Sequence, residues 1–154
     1  MRSAPAVVCL AVMLSASGVG ASVPDVRQRL QTETFSQTTD LGSLSEGVRV
    51  ALTRFLGDGK IANRGDPFEA SDAFTRSSVN LPRRRLIRAG TSGDLTFVEY
   101  EHGGRGLHQH LVLFQTRGSE VTMLKTCSGL LPRQWKKLRK IAGTSECPWR
   151  TTED

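Results

Sequence analysis

The chain has 154 residues, 21 Lys plus Arg against 15 Asp plus Glu, three Cys and three His. That length suits one domain around one hydrophobic core, since single cores are built from about 100–200 residues. With 38% hydrophobic and 23% charged residues, the composition excludes a disordered chain, a collagen-like repeat, a polytopic membrane protein and a cysteine-dense toxin scaffold. The net charge of +6 bears on partners and solubility rather than on fold.

Arg2 precedes residues 3–24, which carry no charge. Residues 4–16 form a short apolar run, and the stretch ends in Val19-Gly20-Ala21. A positive start, an apolar run of about 7–15 residues and a small-x-small site describe a secretory signal peptide, here residues 1–21 with cleavage after Ala21. An uncleaved anchor needs about 20 apolar residues, and the Gly/Ser-rich second half does not supply them. Removal of the segment takes Arg2 and Cys9 away and leaves 133 residues at net +5. The expected location is periplasmic or secreted. In such an oxidising compartment the two remaining cysteines, Cys127 and Cys147, are expected to pair as one disulfide. They are too few for a structural zinc site of Cys type.

Residues 22–42 read as a polar N-terminal segment with room for a short helical turn, and Gln37-Thr38-Thr39-Asp40 reads as linker. A single domain is expected over 43–150, with 151–154 as a tail. Ser43-Leu44-Ser45-Glu46 matches a capping box. Leu41, Leu44, Val48, Leu52 and Phe55 then recur at helical spacing before Gly57, so an amphipathic helix is expected over 43–56. The period next changes to two. Strands are expected over 67–74, 83–89, 94–101, 107–115 and 120–126, and the short Gly-containing connections between the later ones imply an antiparallel meander. A last helix is expected from Pro132, with Leu131, Trp135, Leu138, Ile141 and Ala142 as its apolar stripe and Gly143 as its stop. The fold class is α+β: an N-terminal amphipathic helix, an antiparallel sheet of four to five strands, and a C-terminal helix tied back by the disulfide. The helices are expected to cover one sheet face.

Residues 99–110 hold all three histidines together with two carboxylates and an arginine. On a hairpin, strand parity puts His108 and His110 on one face. Two imidazoles at i and i+2, with His102 across the loop, make a candidate site for a divalent transition metal. The same stretch offers an acid/base set, with Glu99 or Glu101 as base, His102 as acid and Arg105 stabilising an anion. Gly103, Gly104 and Gly106 offer amides for an anion nest. Against these stands a plainer reading: a Gly-rich tip needs its glycines for the turn, and its polar neighbours face solvent.

Charge is uneven along the chain. Residues 22–75 carry 6 basic and 8 acidic groups, whereas residues 76–154 carry 14 and 7. The excess sits at Arg83, Arg84, Arg85 and Arg88 and on the last helix at Arg133, Lys136, Lys137, Arg139 and Lys140. The candidate anion-binding set is therefore Arg83, Arg84, Arg85, Arg133, Lys136, Lys137 and Lys140, facing an acidic protein, a cell-envelope polymer or lipid headgroups. Nucleic acid is disfavoured, because no aromatic side chains interleave with these bases except Trp135 of the apolar stripe. Arg64-Gly65-Asp66 matches an adhesion tripeptide but is explained by a turn. There is no Gly-x-Ser-x-Gly elbow, no Walker loop, no His-Glu-x-x-His and no Cys-x-x-Cys. The expected function is that of a small basic binding or accessory protein, and the alternative is a metal-dependent or acid/base hydrolytic enzyme centred on residues 99–110.

Overall fold

A computed structural model describes residues 23–57, 60–71, 80–104, 106–144, 146–147 and 149–150. The expected cleavage site, residues 72–74 of the first expected strand, Arg105 and the tail 151–154 lie outside the described residues. The order of elements is α1 (Val23–Thr32), β1 (Ser36–Thr38), α2 (Glu46–Leu56), β2 (Arg84–Ser92), β3 (Leu95–His102), β4 (His108–Arg117), β5 (Glu120–Gly129) and α3 (Trp135–Ala142). The strands form one antiparallel sheet in chain order, β1-β2-β3-β4-β5. Two-residue turns join β2 to β3 and β4 to β5. Their first residues, Gly93 and Gly118, have φ of 55° and 59°, the left-handed conformation that tight hairpin turns require and glycine adopts without strain.

The α+β class holds, and so does the disulfide between Cys127 and Cys147, which ties β5 to the C-terminal end. The layer arrangement differs from expectation, because helices cover both faces of the sheet. On one face α2 seats Val48, Leu52 and Leu56 on Leu86, Val98, Tyr100, Val112 and Phe114. On the other, α1 and α3 seat Val26, Leu30, Leu138 and Ala142 on Leu95, Phe97, Leu111 and Leu113. The cause lies in β3 and β4. Leu111, Val112, Leu113 and Phe114 are apolar on both sides of the pleat and at most 1% exposed, and such a run is stable only between two covering layers.

The polar segment before residue 43 is also more ordered than its composition suggests. Val26 and Leu30, one helical turn apart, are buried with Phe35, and β1 extends the sheet by pairing with β2. Residues 37 and 38, expected as linker, are therefore an edge strand. Among the described residues this one is the fifth strand, and residues 67–71 of the strand expected over 67–74 are not strand. Pro67 lacks a ladder donor, and the Glu69 carboxylate accepts from the Ser71 amide at 3.1 Å, a local bond that favours a turn.

The helix starts shift as well. Ser43 ends a 3-10 turn over Leu41–Ser43 capped by Asp40, and Ser45 caps α2 by accepting from the Val48 amide. α3 begins at Trp135 rather than at Pro132. Residues 131–134 carry the chain from β5 onto the sheet face, where the Arg133 carbonyl accepts from the Arg88 guanidinium. Arg139, which is not part of the expected apolar stripe, turns inward. It donates to the Leu30 and Glu33 carbonyls at 2.7 and 2.8 Å and also to that of Gln31, satisfying the open C-terminal end of α1.

Candidate functional site

The end of the sheet made by β2, β3 and β4 is built differently on its two faces. In the β3–β4 register His102 lies opposite His108, Tyr100 opposite His110, Glu101 opposite Gln109 and Glu99 opposite Leu111. All three histidines therefore share the α2 face with Tyr100, while Glu99 and Glu101 share the α1/α3 face. The histidines and carboxylates that the sequence places within twelve residues are separated by the sheet itself.

On the α2 face the three imidazoles are half-buried, and each offers a ring nitrogen within 4.8 Å of the others. His108 and His110 have ring centroids 4.9 Å apart, with His102 at 5.2 and 6.0 Å from them. His108 Nδ1–H donates to the Gly106 carbonyl at 3.0 Å, which leaves Nε2 with its lone pair. A backbone carbonyl behind a ligating imidazole is the usual way a metal-binding tautomer is held. His110 stacks on Tyr100 at 4.8 Å, with ring planes 6° apart. Its Nε2 is buried without a hydrogen-bond partner, and a buried nitrogen of that kind is costly unless something occupies its lone pair. Burial first, then the electrostatic influence of the neighbouring His108, His102 and Arg84, holds His110 down at about 4, so its imidazole is neutral at pH 7. Burial pushes the Tyr100 phenol up to about 12, and it stays neutral.

These residues fit a divalent transition metal. Bonds of about 2.0–2.1 Å in a tetrahedral zinc site put donor atoms roughly 3.4 Å apart. The cluster reaches that spacing when its widest separation closes by about 1.4 Å, a movement within the range of side-chain rotation. Three imidazoles leave a fourth position open. Zinc, copper and nickel all suit neutral imidazole ligands.

On the α1/α3 face the two carboxylates are clamped by arginines. Glu99 is fully buried and accepts from Arg88 Nε at 2.6 Å through Oε2, while its Oε1 has no partner. Burial raises the Glu99 carboxyl to about 7 against the opposing pull of Arg88. Glu101 accepts from Arg85 Nε at 2.8 Å, and Arg133 lies 3.6 Å from its other oxygen. Arg85 in turn lies over the Phe68 ring at 4.0 Å. A bulge in β2 between Leu86 and Arg88 brings Arg85 and Arg88 to the same face although they are three residues apart, because the extra residue resets the alternation.

The basic set divides accordingly. Arg84 lies on the histidine face opposite His102, Arg85 on the carboxylate face opposite Glu101, and Arg83 is exposed just before the strand. Lys136, Lys137 and Lys140 are exposed on α3, and the Arg133 side chain is 72% exposed. Two of the three glycine amides expected to form an anion nest are occupied: Gly103 donates to the Arg83 carbonyl at 2.9 Å and Gly104 to that of Ala70 at 3.4 Å. Gly103 is required for a close approach, since a Cβ there would lie 2.0 Å from the Glu69 carbonyl oxygen.

Arg64 is the functional candidate that sequence reading passes over. Ala62 bridges Arg85 in parallel, with backbone bonds of 2.9 Å on each side, and this seats residues 62–65 beside β2. A cleft of about 360 Å³ follows, lined by Arg64, Arg85, Arg88, Arg133 and Glu101 among others. No local signal foretells a bridge across more than twenty residues. Compared with protein-family models, curated proteins and solved structures, the chain matches none.

Proposed function

We propose that the protein is a small exported binding or accessory protein whose central property is the capture of a divalent transition metal by His102, His108 and His110. The observation that carries this reading is the convergence of three ring nitrogens within 4.8 Å, one on an imidazole held by a backbone carbonyl. The unpartnered buried Nε2 of His110 supports it. A metal-dependent enzyme remains the alternative form of the same reading, because three protein ligands leave a coordination position for water or substrate. The acid/base variant lacks that support, since Glu99 and Glu101 face away from the imidazoles.

The decisive measurement is calorimetric titration of metal-free protein with zinc, copper(II) and nickel. One equivalent of at least one of these metals should bind, and the His108→Ala/His110→Ala variant should bind it at least 100-fold more weakly. Equal, weak binding by both proteins removes the proposal.

Export is supported by the signal-like residues 1–21 and by the disulfide, a bond that persists in oxidising compartments. None of the described helices is long and apolar enough to cross a membrane. Intact-mass analysis of the protein recovered from the cell envelope or medium should place its first residue at Ser22. A mass that retains residues 1–21 counts against cleavage.

A further inference from the structure

The cleft on the α1/α3 face is independent of the histidines and is over-supplied with positive charge. Four guanidinium groups, from Arg64, Arg85, Arg88 and Arg133, line it against a single carboxylate, that of Glu101. Glu99, beneath it, is committed to Arg88. Glu101 fixes Arg85 closely at 2.7 Å and Arg133 loosely at 3.6 Å, while Arg64 forms no ion pair among the described residues. Converging guanidinium groups repel one another, and a concavity that holds them together without matching carboxylates is suited to an anion.

The chemistry of the anion follows from donor geometry. A carboxylate has two oxygens and is satisfied by one arginine fork, whereas a phosphate monoester presents three terminal oxygens and up to two charges, enough for two forks at once. The two guanidiniums with the least carboxylate attachment are Arg64 and Arg133. A volume of about 360 Å³ is at the scale of a small-molecule site. A second cleft of about 370 Å³ adjoins it through the shared Arg64 and Arg88, and its other walls are Gln37, Thr38 and Thr39. Amide and hydroxyl walls next to an arginine cluster suit a body rich in hydroxyl groups.

We propose that this double cleft binds a small phosphate monoester with a hydroxylated body, the class of a sugar phosphate, its phosphoryl group held by Arg64 and Arg133 and its hydroxyls facing Gln37, Thr38 and Thr39. Glu101 acts as a positioning residue that orients the Arg85 and Arg133 forks.

Calorimetric titration of the full chain in 0.15 M salt tests this, with ribose 5-phosphate, ribose and inorganic phosphate as probes. Ribose 5-phosphate should bind at least tenfold more tightly than either fragment. Arg64→Gln and Arg133→Gln, both on exposed side chains, should each weaken it 10- to 100-fold with unchanged thermal midpoints. A Lys136→Gln/Lys137→Gln control, which removes charge from the exposed face of α3, should change it less than twofold. His108→Ala/His110→Ala should leave it intact, so failure of the metal reading and failure of this one are distinguishable. Lack of ribose 5-phosphate binding by the folded wild type overturns the proposal. So does an equal loss in the lysine control, which would mark general charge attraction.

Discussion

Arg88→Met is expected to destabilise the protein by about 3 kcal/mol at pH 8.5 but only about 1 kcal/mol at pH 5. Glu99 is the reason. Its carboxyl is fully buried, and burial raises it from an ordinary 4.5 to about 7 despite Arg88. The folded state thus holds a proton that the unfolded chain has released. The stability associated with that proton is complete below pH 4.5 and is lost as pH rises through 7. Once above pH 7, the wild type ionises and the Arg88 guanidinium at 2.6 Å supports the charge. Without Arg88 the carboxyl stays protonated to higher pH, so the gap between the two proteins widens at about 1.4 kcal/mol per pH unit, or about 2 kcal/mol by pH 8.5. The remaining loss of about 1 kcal/mol reflects the bond to the Arg133 carbonyl and the stacking on Trp135. His110 titrates alike in both proteins and cancels in the comparison. Urea unfolding at pH 5 and 8.5 reads the effect directly. A difference that does not change with pH would falsify this account of Glu99.

The second large effect belongs to the disulfide. Cys127→Ala/Cys147→Ala should lose about 3 kcal/mol, the chain-entropy cost of reopening a loop of that size, since the sequence separation is 20. Both cysteines are 1% exposed, and their link fixes the segment after α3 against β5. There Thr126 and Arg150 exchange backbone bonds of 3.0 and 2.8 Å, and Trp149 donates to the Ala142 carbonyl at 2.9 Å. Those contacts alone close the loop weakly. Amide exchange in residues 135–150 should therefore accelerate before that of β3 and β4. The wild type in excess reductant should unfold at the same urea concentration as the variant. A loss below about 1 kcal/mol would mean that the loop stays closed without its bond.

How much of this was legible in the sequence depends on the range of the interactions involved. The β3 and β4 runs and their turns were readable because alternation and turn glycines are local. The shared face of His108 and His110 followed from the same parity. The opposite placement of Glu99 and Glu101 did not, because it depends on the His102–His108 register, and the loop length alone does not set that. The double-sided covering of the sheet was hinted at by the unbroken apolar run Leu111 to Phe114. Its second layer rests on Val26 and Leu30 in an otherwise polar segment, too sparse a stripe to stand out. Arg64 enters through the Ala62–Arg85 bridge, which only the folded chain reveals.

The bulge in β2 carries a consequence for how this surface can vary. On either side of it the strand runs with opposite parity, so Leu86 and Ala89 both reach the α2 core while Arg85 and Arg88 both reach the carboxylates. Paired one to one without the bulge, the same residues would turn Arg88 toward Val98 and Val112, and the cleft would lose a wall without any change of chemistry. Here the direction of positive charge is encoded in how β2 accommodates Ile87: deleting that one residue would restore plain alternation and leave both arginines on the carboxylate face, whereas flattening the bulge with every residue kept would not.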